Sequence, residues 1–153
     1  MITAWRVVKS RYAATAFDGT GARRAGGRFN SSGTAVVYTS DSLALAMLEI
    51  AVNVPTYTEI RSLVYISVEI DEALIEIVEV DDLPKDWSNM PPSRSTQRIG
   101  DKWVREARSA VLRVPSVVVP GAFNYLLNPA HPEFSSIRTS APTPLRVDPR
   151  LVK

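Results

Sequence analysis

Two residues in this chain have the type and setting for chemistry. The first is Glu49, the one carboxylate in the run Leu43-Ala44-Leu45-Ala46-Met47-Leu48-Glu49-Ile50-Ala51-Val52. A helix that is apolar all round is ordinarily buried. A lone carboxylate taken out of water costs several kcal/mol unless partners compensate it, so a chain that keeps one there usually uses it. The second is Arg28, in Gly26-Gly27-Arg28-Phe29-Asn30, where a flexible turn carries one cation. A guanidinium fork suits a pyrophosphate or a carboxylate. A buried acid and a glycine-held arginine on neighbouring elements suggest a site for a charged small molecule. The plain structural alternative is a salt bridge between them.

Other candidates are weaker taken singly. Tyr38 ends a short strand directly before the Glu49 helix, where it can stack on a flat ring or donate a hydrogen bond; a core tyrosine is the simpler reading. Ser116, in Val114-Pro115-Ser116-Val117, can hold a ligand phosphate or carbonyl, or satisfy a backbone group. His131, between Ala130 and Pro132, reads as a turn residue, and no serine is placed beside it for triad chemistry. Gly19-Thr20-Gly21 needs a third glycine where Arg24 stands to be a dinucleotide fingerprint. No Gly-Lys-Ser/Thr follows, so it is not a P-loop either. Its glycines can still bring backbone N–H groups close to phosphates.

Composition narrows the classes. The chain has 153 residues, which fits one domain, and no cysteine, which excludes disulfides, zinc–thiolate sites and thiol catalysis. One histidine excludes a multi-histidine metal centre. The longest apolar run falls well short of the roughly 20 residues of a membrane helix, and the first residues show no signal-peptide pattern. A cytoplasmic protein is expected. The net charge of +2 is too weak to argue for direct nucleic-acid binding. The charge is unevenly spread, however: residues 1–38 hold Arg6, Lys9, Arg11, Arg23, Arg24 and Arg28 against Asp18 alone, which suits an anionic ligand.

The elements that must position these residues follow from pattern. Residues 4–9 read as a strand, 18–33 with five glycines as a long loop, and 36–39 as a short β-branched strand. Ser40 suits an N-cap, with Asp41 in the first turn of a helix over about 41–53 that ends before Pro55. Residues 62–70 alternate as a half-buried strand, with Val64, Ile66, Val68 and Ile70 on one side. A further strand is expected near 74–80, then a polar loop over 81–95. Ser95 is the expected cap of a helix to about 108 with Ile99, Trp103 and Ala107 on one face, a helix that Gly100 weakens. Residues 110–119 are strand-like but broken by Pro115, and 123–127 form another strand. Asn128-Pro129 and His131-Pro132 mark turns. The tail from about 139 is expected to be partly extended. Mixed strands and few helices predict an α+β domain.

Taken in order, the chain resembles a RES-domain protein, of a family named for an arginine, a glutamate and a serine. The resemblance runs through Trp5-Arg6, Gly26-Gly27-Arg28-Phe29-Asn30, Val36-Val37-Tyr38, Ala44 to Glu49, Ile99-Gly100-Asp101-Lys102-Trp103, Val114-Pro115-Ser116 and Asn128-Pro129-Ala130-His131-Pro132. Phe29 departs from the tryptophan common in the family; Arg28, Glu49 and Ser116 match the name-giving positions. The resemblance implies a single RES domain over 1–153, with 139–153 as its extended tail. It also implies an ADP-ribosyltransferase-like fold of split antiparallel sheets with short helices.

In function the resemblance implies a toxin of a bacterial type II toxin–antitoxin module, with NAD+ as substrate and no metal. The implied partner is an antitoxin with an Xre-like helix-turn-helix domain that blocks the active site; the oligomeric state stays open. Some members degrade NAD+ by hydrolysis or phosphorolysis, and others transfer ADP-ribose to a protein. On this reading Glu49 stabilises the oxocarbenium-like ribosyl centre or orients the acceptor. Arg28 binds pyrophosphate or an incoming phosphate, and Tyr38 lies on the nicotinamide side. Ser116, Gly27 and Asn30 contribute to substrate binding. A non-catalytic binding module, with Arg28 and Glu49 as a buried ion pair, is the rival from another class.

Overall fold

The computed structural model describes residues 1–53 and 60–151. Their strands are β1 (Ile2–Lys9), β2 (Val37–Ser40), β3 (Leu63–Ile70), β4 (Ile75–Ile77), β5 (Val111–Pro115), β6 (Phe123–Leu127), β7 (Arg138–Thr139) and β8 (Thr143–Pro144). They form one hydrogen-bonded path in the order β4-β5-β6-β2-β1-β3-β7, with β8 also on β3. All pairs are antiparallel except β4 with β5. The path is weakest at its middle. β1 meets β2 in register only at Trp5–Ser40, whereas β1 and β3 pair from Ile2–Ile70 to Lys9–Leu63. The sheet therefore splits into a β4-β5-β6-β2 lobe and a β1-β3-β7 lobe, as the expected split architecture requires. Three α-helices are described: α1 (Thr20–Ala25), α2 (Leu43–Ala51) and α3 (Arg94–Glu106).

Period-2 alternation decides the faces. One face of the sheet packs Ala4, Val37, Val68, Ile70, Val111 and Leu127 into a core covered by Phe17, Phe134 and Ile137. The other face is covered by two helices, one on each lobe. α2 covers the β1-β3 lobe through Val7, Ala46, Leu63 and Met47. α3 covers the β5-β6 lobe through Trp103, Leu112, Val114 and Leu126, with Phe29 and Tyr38. The floor between the two helices is the end of β2 and the start of β6, at the split.

Several sequence expectations shift. The glycine-rich stretch 18–33 is not loop throughout: Asp18 Oδ1 accepts from Thr20 N (2.8 Å) and starts α1. The cap of α2 is Ser42, whose Oγ accepts from Leu45 N (3.0 Å), not Ser40. Ser40 is taken into the β2 ladder, and Asp41 Oδ2 accepts from Phe123 N (2.9 Å). Pro55 lies outside the described residues. α2 is also not buried all round. Leu45 and Ala46 are buried, but Leu48 is 45% exposed, because the helix has sheet on one side only.

The strand near 74–80 shrinks to β4 between two 3-10 turns. The cap of α3 is Ser93, since Ser95 Oγ donates instead to Asp86 (3.0 Å). The buried stripe of α3 is Thr96, Gly100 and Trp103; Ala107 lies past the helix end in the left-handed region. Gly100, expected to weaken the helix, is the residue that lets it pack. A Cβ there would stand 1.7 Å from the Phe29 carbonyl oxygen. In the described part of the tail β7 and β8 pair with β3, Ser140 N bonds Ser67 O (2.9 Å) between them, and Pro149–Leu151 form a 3-10 turn.

Candidate active site

Glu49 lies on the side of α2 that looks toward the sheet split. Its side chain is half-buried and partnered, not a lone buried carboxylate. Ser116 Oγ and Asn124 Nδ2 both donate to the same oxygen, Oε1, each at 2.8 Å. Oε2 has no partner among the described residues. Two donors on one oxygen fix the plane of a carboxylate and leave the lone pairs of the other oxygen open.

Ser116 is fully engaged. It is 4% exposed, donates to Glu49 and accepts from Val118 N and Val119 N, both at 3.1 Å. Pro115 ends β5, and the chain turns over the serine hydroxyl, an ST-type turn that aims the remaining O–H at α2. Asn124 stands in β6 opposite Ser40 in β2 and Val114 in β5. Ser40 Oγ donates to Asn124 Oδ1 (2.8 Å), which leaves the amide nitrogen facing Glu49.

Arg28 sits inside the tight turn in which Gly27 N bonds Asn30 O (2.9 Å). Its Nη1 donates to the carbonyls of Trp87 (2.7 Å) and Asn89 (2.9 Å), and its Nη2 meets Met90 Sδ (2.8 Å). The guanidinium thus binds down the loop before α3, and its Nε edge has no partner among the described residues. Burial lowers its pKa, opposed by the field of Glu49 and then Tyr38. Glu49 is therefore close enough to be felt, yet the two close no ion pair. The structural alternative of a core salt bridge is not what the chain builds.

The turn itself is held from three sides. Tyr38 Oη donates to Asn30 Oδ1 (2.6 Å) and accepts from Phe29 N (3.1 Å), and burial pushes its phenol well above the ordinary range. Asn30 is 0% exposed; its Nδ2 donates to the carbonyls of Ala22 (2.8 Å) and Thr34 (3.0 Å). Gly27 has no room for a side chain, because a Cβ would stand 2.8 Å from both Asn30 Oδ1 and Tyr38 Oη. From α3, Gln97 Nε2 donates to Gly27 O (3.0 Å), and Asp101 accepts from Ser31 N (3.0 Å) and Ser31 Oγ (2.6 Å). From β1, Arg6 Nη1 donates to Tyr38 O (2.8 Å) and its Nε to Ala16 O (2.6 Å); burial lowers this guanidinium to about 10, against the opposing field of Asp18.

Among the described residues, two of the predicted residues are thus presented with open valence, Arg28 through its Nε edge and Glu49 through Oε2. Ser116 touches Glu49 directly, while Gly27, Asn30 and the Tyr38 hydroxyl are spent inside the protein. Sequence reasoning missed Asn124, Ser40 in this role, Gln97 and Asp101. The available signal was a lone amide in the apolar alternation of β6, and polar residues flanking Gly100 on α3. His131 is a turn residue, its Nδ1 accepting from Glu133 N (3.0 Å). Two cavities, about 390 Å³ beside Phe17 and Asp18 and about 270 Å³ beside Met47 and Leu48, are lined by none of the site residues. Among the described residues no helix is long and apolar enough to cross a membrane, and no three His, Asp or Glu side chains gather to hold a metal.

Comparison with known proteins supports the family resemblance. A family model described as the RES domain matches residues 3–148. A protein named Toxin Res from Photorhabdus laumondii is 37% identical over 150 residues, 97% of this chain and 96% of that protein. A Prs ADP-ribosylating toxin from Sphingobium sp. is 34% identical over 154 residues, 97% of this chain and 96% of that one. In fold, the chain is similar to one in the crystal structure of the M. tuberculosis MbcT–MbcA toxin–antitoxin complex, with a TM-score of 0.75 at 18% identity, covering 98% of this chain and 86% of that one. A match that spans nearly the whole chain, carried by relatives matched over nearly their whole lengths, leaves one conclusion: the chain belongs to the RES-domain family.

Proposed function

We propose that this chain is the toxin of a bacterial toxin–antitoxin module and that it consumes NAD+ by cleaving the nicotinamide–ribose bond, by hydrolysis or phosphorolysis. The observation that carries the reading is the half-pinned Glu49 carboxylate, Oε1 held by two donors and Oε2 open, in a chain with near full-length relatives named as toxins. Nicotinamide in NAD+ is a cationic pyridinium and departs with the bonding electron pair as a neutral base. No acid is needed to protonate it, so one carboxylate suffices where ordinary glycoside hydrolysis commonly uses two. As the C1′–N bond breaks, positive charge grows on the ribosyl centre, and the open oxygen of Glu49 stabilises it or orients the incoming oxygen nucleophile. A new C1′–O bond then forms, and the proton of an attacking water passes to solvent.

Arg28 takes the pyrophosphate, or an incoming phosphate, on its Nε and Nη2 edge; Met90 sulfur is a weak acceptor that an anion displaces readily. Tyr38 offers its ring to the nicotinamide side, since its hydroxyl is already used. Ser116 acts through Glu49. Gly27 and Asn30 shape the Arg28 turn instead of touching substrate. The cytoplasm is the place of action, and the partner is an antitoxin of the Xre-like kind, which the family resemblance supplies.

Protein ADP-ribosylation is the second reading, favoured by the name of the Sphingobium relative, an ADP-ribosylating toxin. The test is nicotinamide release from NAD+, with and without inorganic phosphate. Phosphate-dependent release means phosphorolysis and phosphate-independent release means hydrolysis. Label transferred from NAD+ to one protein of a cell extract, without free products, means ADP-ribosylation. Glu49→Gln is expected to lower turnover roughly 100-fold or more with the fold retained by circular dichroism. Full activity in that variant overturns the role of Glu49.

A further inference from the structure

We infer that Asn124, held by Ser40, is a positioning residue that selects which oxygen of Glu49 meets the substrate. The inference rests on the catalytic reading of Glu49 and adds the device that aims it.

Asn124 sits in a strand that is paired on both edges. β6 is laddered to β5 on one side and to β2 on the other, so the Asn124 backbone faces both Val114 and Ser40. Its side chain links β2 to α2. Ser40 Oγ donates to Oδ1 at 2.8 Å, and Nδ2 donates to Glu49 Oε1 at 2.8 Å. The direction of this relay is dictated chemically. An ionised carboxylate only accepts, so the amide must turn its nitrogen to Glu49, and its oxygen then requires a donor, which Ser40 supplies.

Ser116 alone could hold Glu49 at Oε1 while the carboxylate rocked about that contact. A second donor on the same oxygen, arriving from a different strand, removes that freedom and leaves Oε2 as the free oxygen. Ser40 lies at the Trp5–Ser40 pair, the one registered joint between the two lobes. The aim of the carboxylate is therefore referenced to the β4-β5-β6-β2 lobe, while Glu49 itself rides on the helix that packs on β1. Nicotinamide release is expected to lose kcat with little change in KM when this link is cut, because ground-state binding of NAD+ falls to Arg28.

The test compares wild type with Asn124→Ala, Ser40→Ala and Asn124→Asp. Misplacing the carboxylate in Asn124→Ala is expected to lower kcat roughly 10- to 100-fold, with KM within about threefold. Ser40→Ala loses kcat in the same direction by less. In Asn124→Asp the new carboxyl faces Glu49 from β6, with Asp41 at the β2–α2 turn and Arg28 as the other nearby charges. Once it takes up a proton it can donate to Oε1 as the amide did. The activity of that variant relative to wild type should then rise as pH falls, a signature that a purely structural asparagine would not produce. Asn124→Ala with kcat within about twofold of wild type, or an Asn124→Asp ratio independent of pH, overturns the proposal. If wild type itself neither releases nicotinamide nor labels a protein, the catalytic reading fails separately. Crystal structures of wild type and Asn124→Ala then decide the positioning alone: a Glu49 carboxylate that turns about its Ser116 contact in the variant, so that Oε2 changes place, supports it, and one that keeps its orientation overturns it.

Discussion

At the scale of single residues, the site contains groups that touch outward and groups that only hold. Glu49 Oε2 and the Nε edge of Arg28 are open among the described residues, whereas Asn30, Ser116 and the Tyr38 hydroxyl spend their hydrogen bonds within the protein. Tyr38 gives the sharpest prediction of this kind. Its phenol is buried and pushed above its ordinary 10.0, so the folded chain holds that proton more tightly than the unfolded chain does. The stabilisation is complete below pH ~10 and is lost as the pH rises beyond it. Tyr38→Phe strands the Asn30 oxygen and the Phe29 N–H, and is expected to cost about 1–3 kcal/mol at pH 7. It should also flatten the decline in stability above pH ~10. Urea unfolding at neutral and alkaline pH checks both. A variant as stable as wild type that keeps the same alkaline decline would show that the hydroxyl does not brace the turn.

At the scale of elements, α3 holds the Arg28 turn more than it builds the core. Gly100 sits directly on the Phe29 carbonyl, while Gln97 and Asp101, three before and one after it, bond Gly27 and Ser31. Helix propensity alone predicts that Gly100→Ala gains about 1 kcal/mol. The close approach predicts the opposite, because α3 or the turn must move to admit the methyl. A loss of more than about 3 kcal/mol in urea unfolding is expected, together with reduced turnover as Arg28 shifts. A stabilised, active Gly100→Ala would refute the close approach. The same element shows where pattern reading stops. Ile99, Trp103 and Ala107 are a fair stripe by spacing, but burial selected Thr96, Gly100 and Trp103, since Gly100 lies on the loop backbone at Phe29 while Trp103 reaches the apolar face of Leu112, Val114 and Leu126.

At the scale of the whole molecule, the two lobes meet through one registered pair, and the site lies over that joint. Stability should follow pairing. Amides of β6, laddered on both sides, are expected to exchange slowest with deuterated solvent, and those of β2 that face β1 about tenfold or more faster. Uniform protection across β2 would argue for a continuous sheet instead of a split one. The extent of the strands was legible in the sequence because alternation is a local property: β1, β3 and β6 stand close to where period and turn residues placed them. Arg28 and Glu49 could be singled out as candidates, because a charge in an apolar run and an arginine after two glycines are visible in one dimension. The caps of α2 and α3 were each displaced by two residues, because Ser40 and Ser95 found partners in β6 and in the loop at Asp86 that no local rule could foresee. Only the tertiary structure decided that Glu49 is half-pinned and not buried alone, that Arg28 is tied to a loop and not to Glu49, and that Asn124 belongs to the site. Residues 67 and 75 positions from Glu49 in sequence meet it on a single oxygen, and such contacts are set by strand order, which the alternation of one strand does not encode.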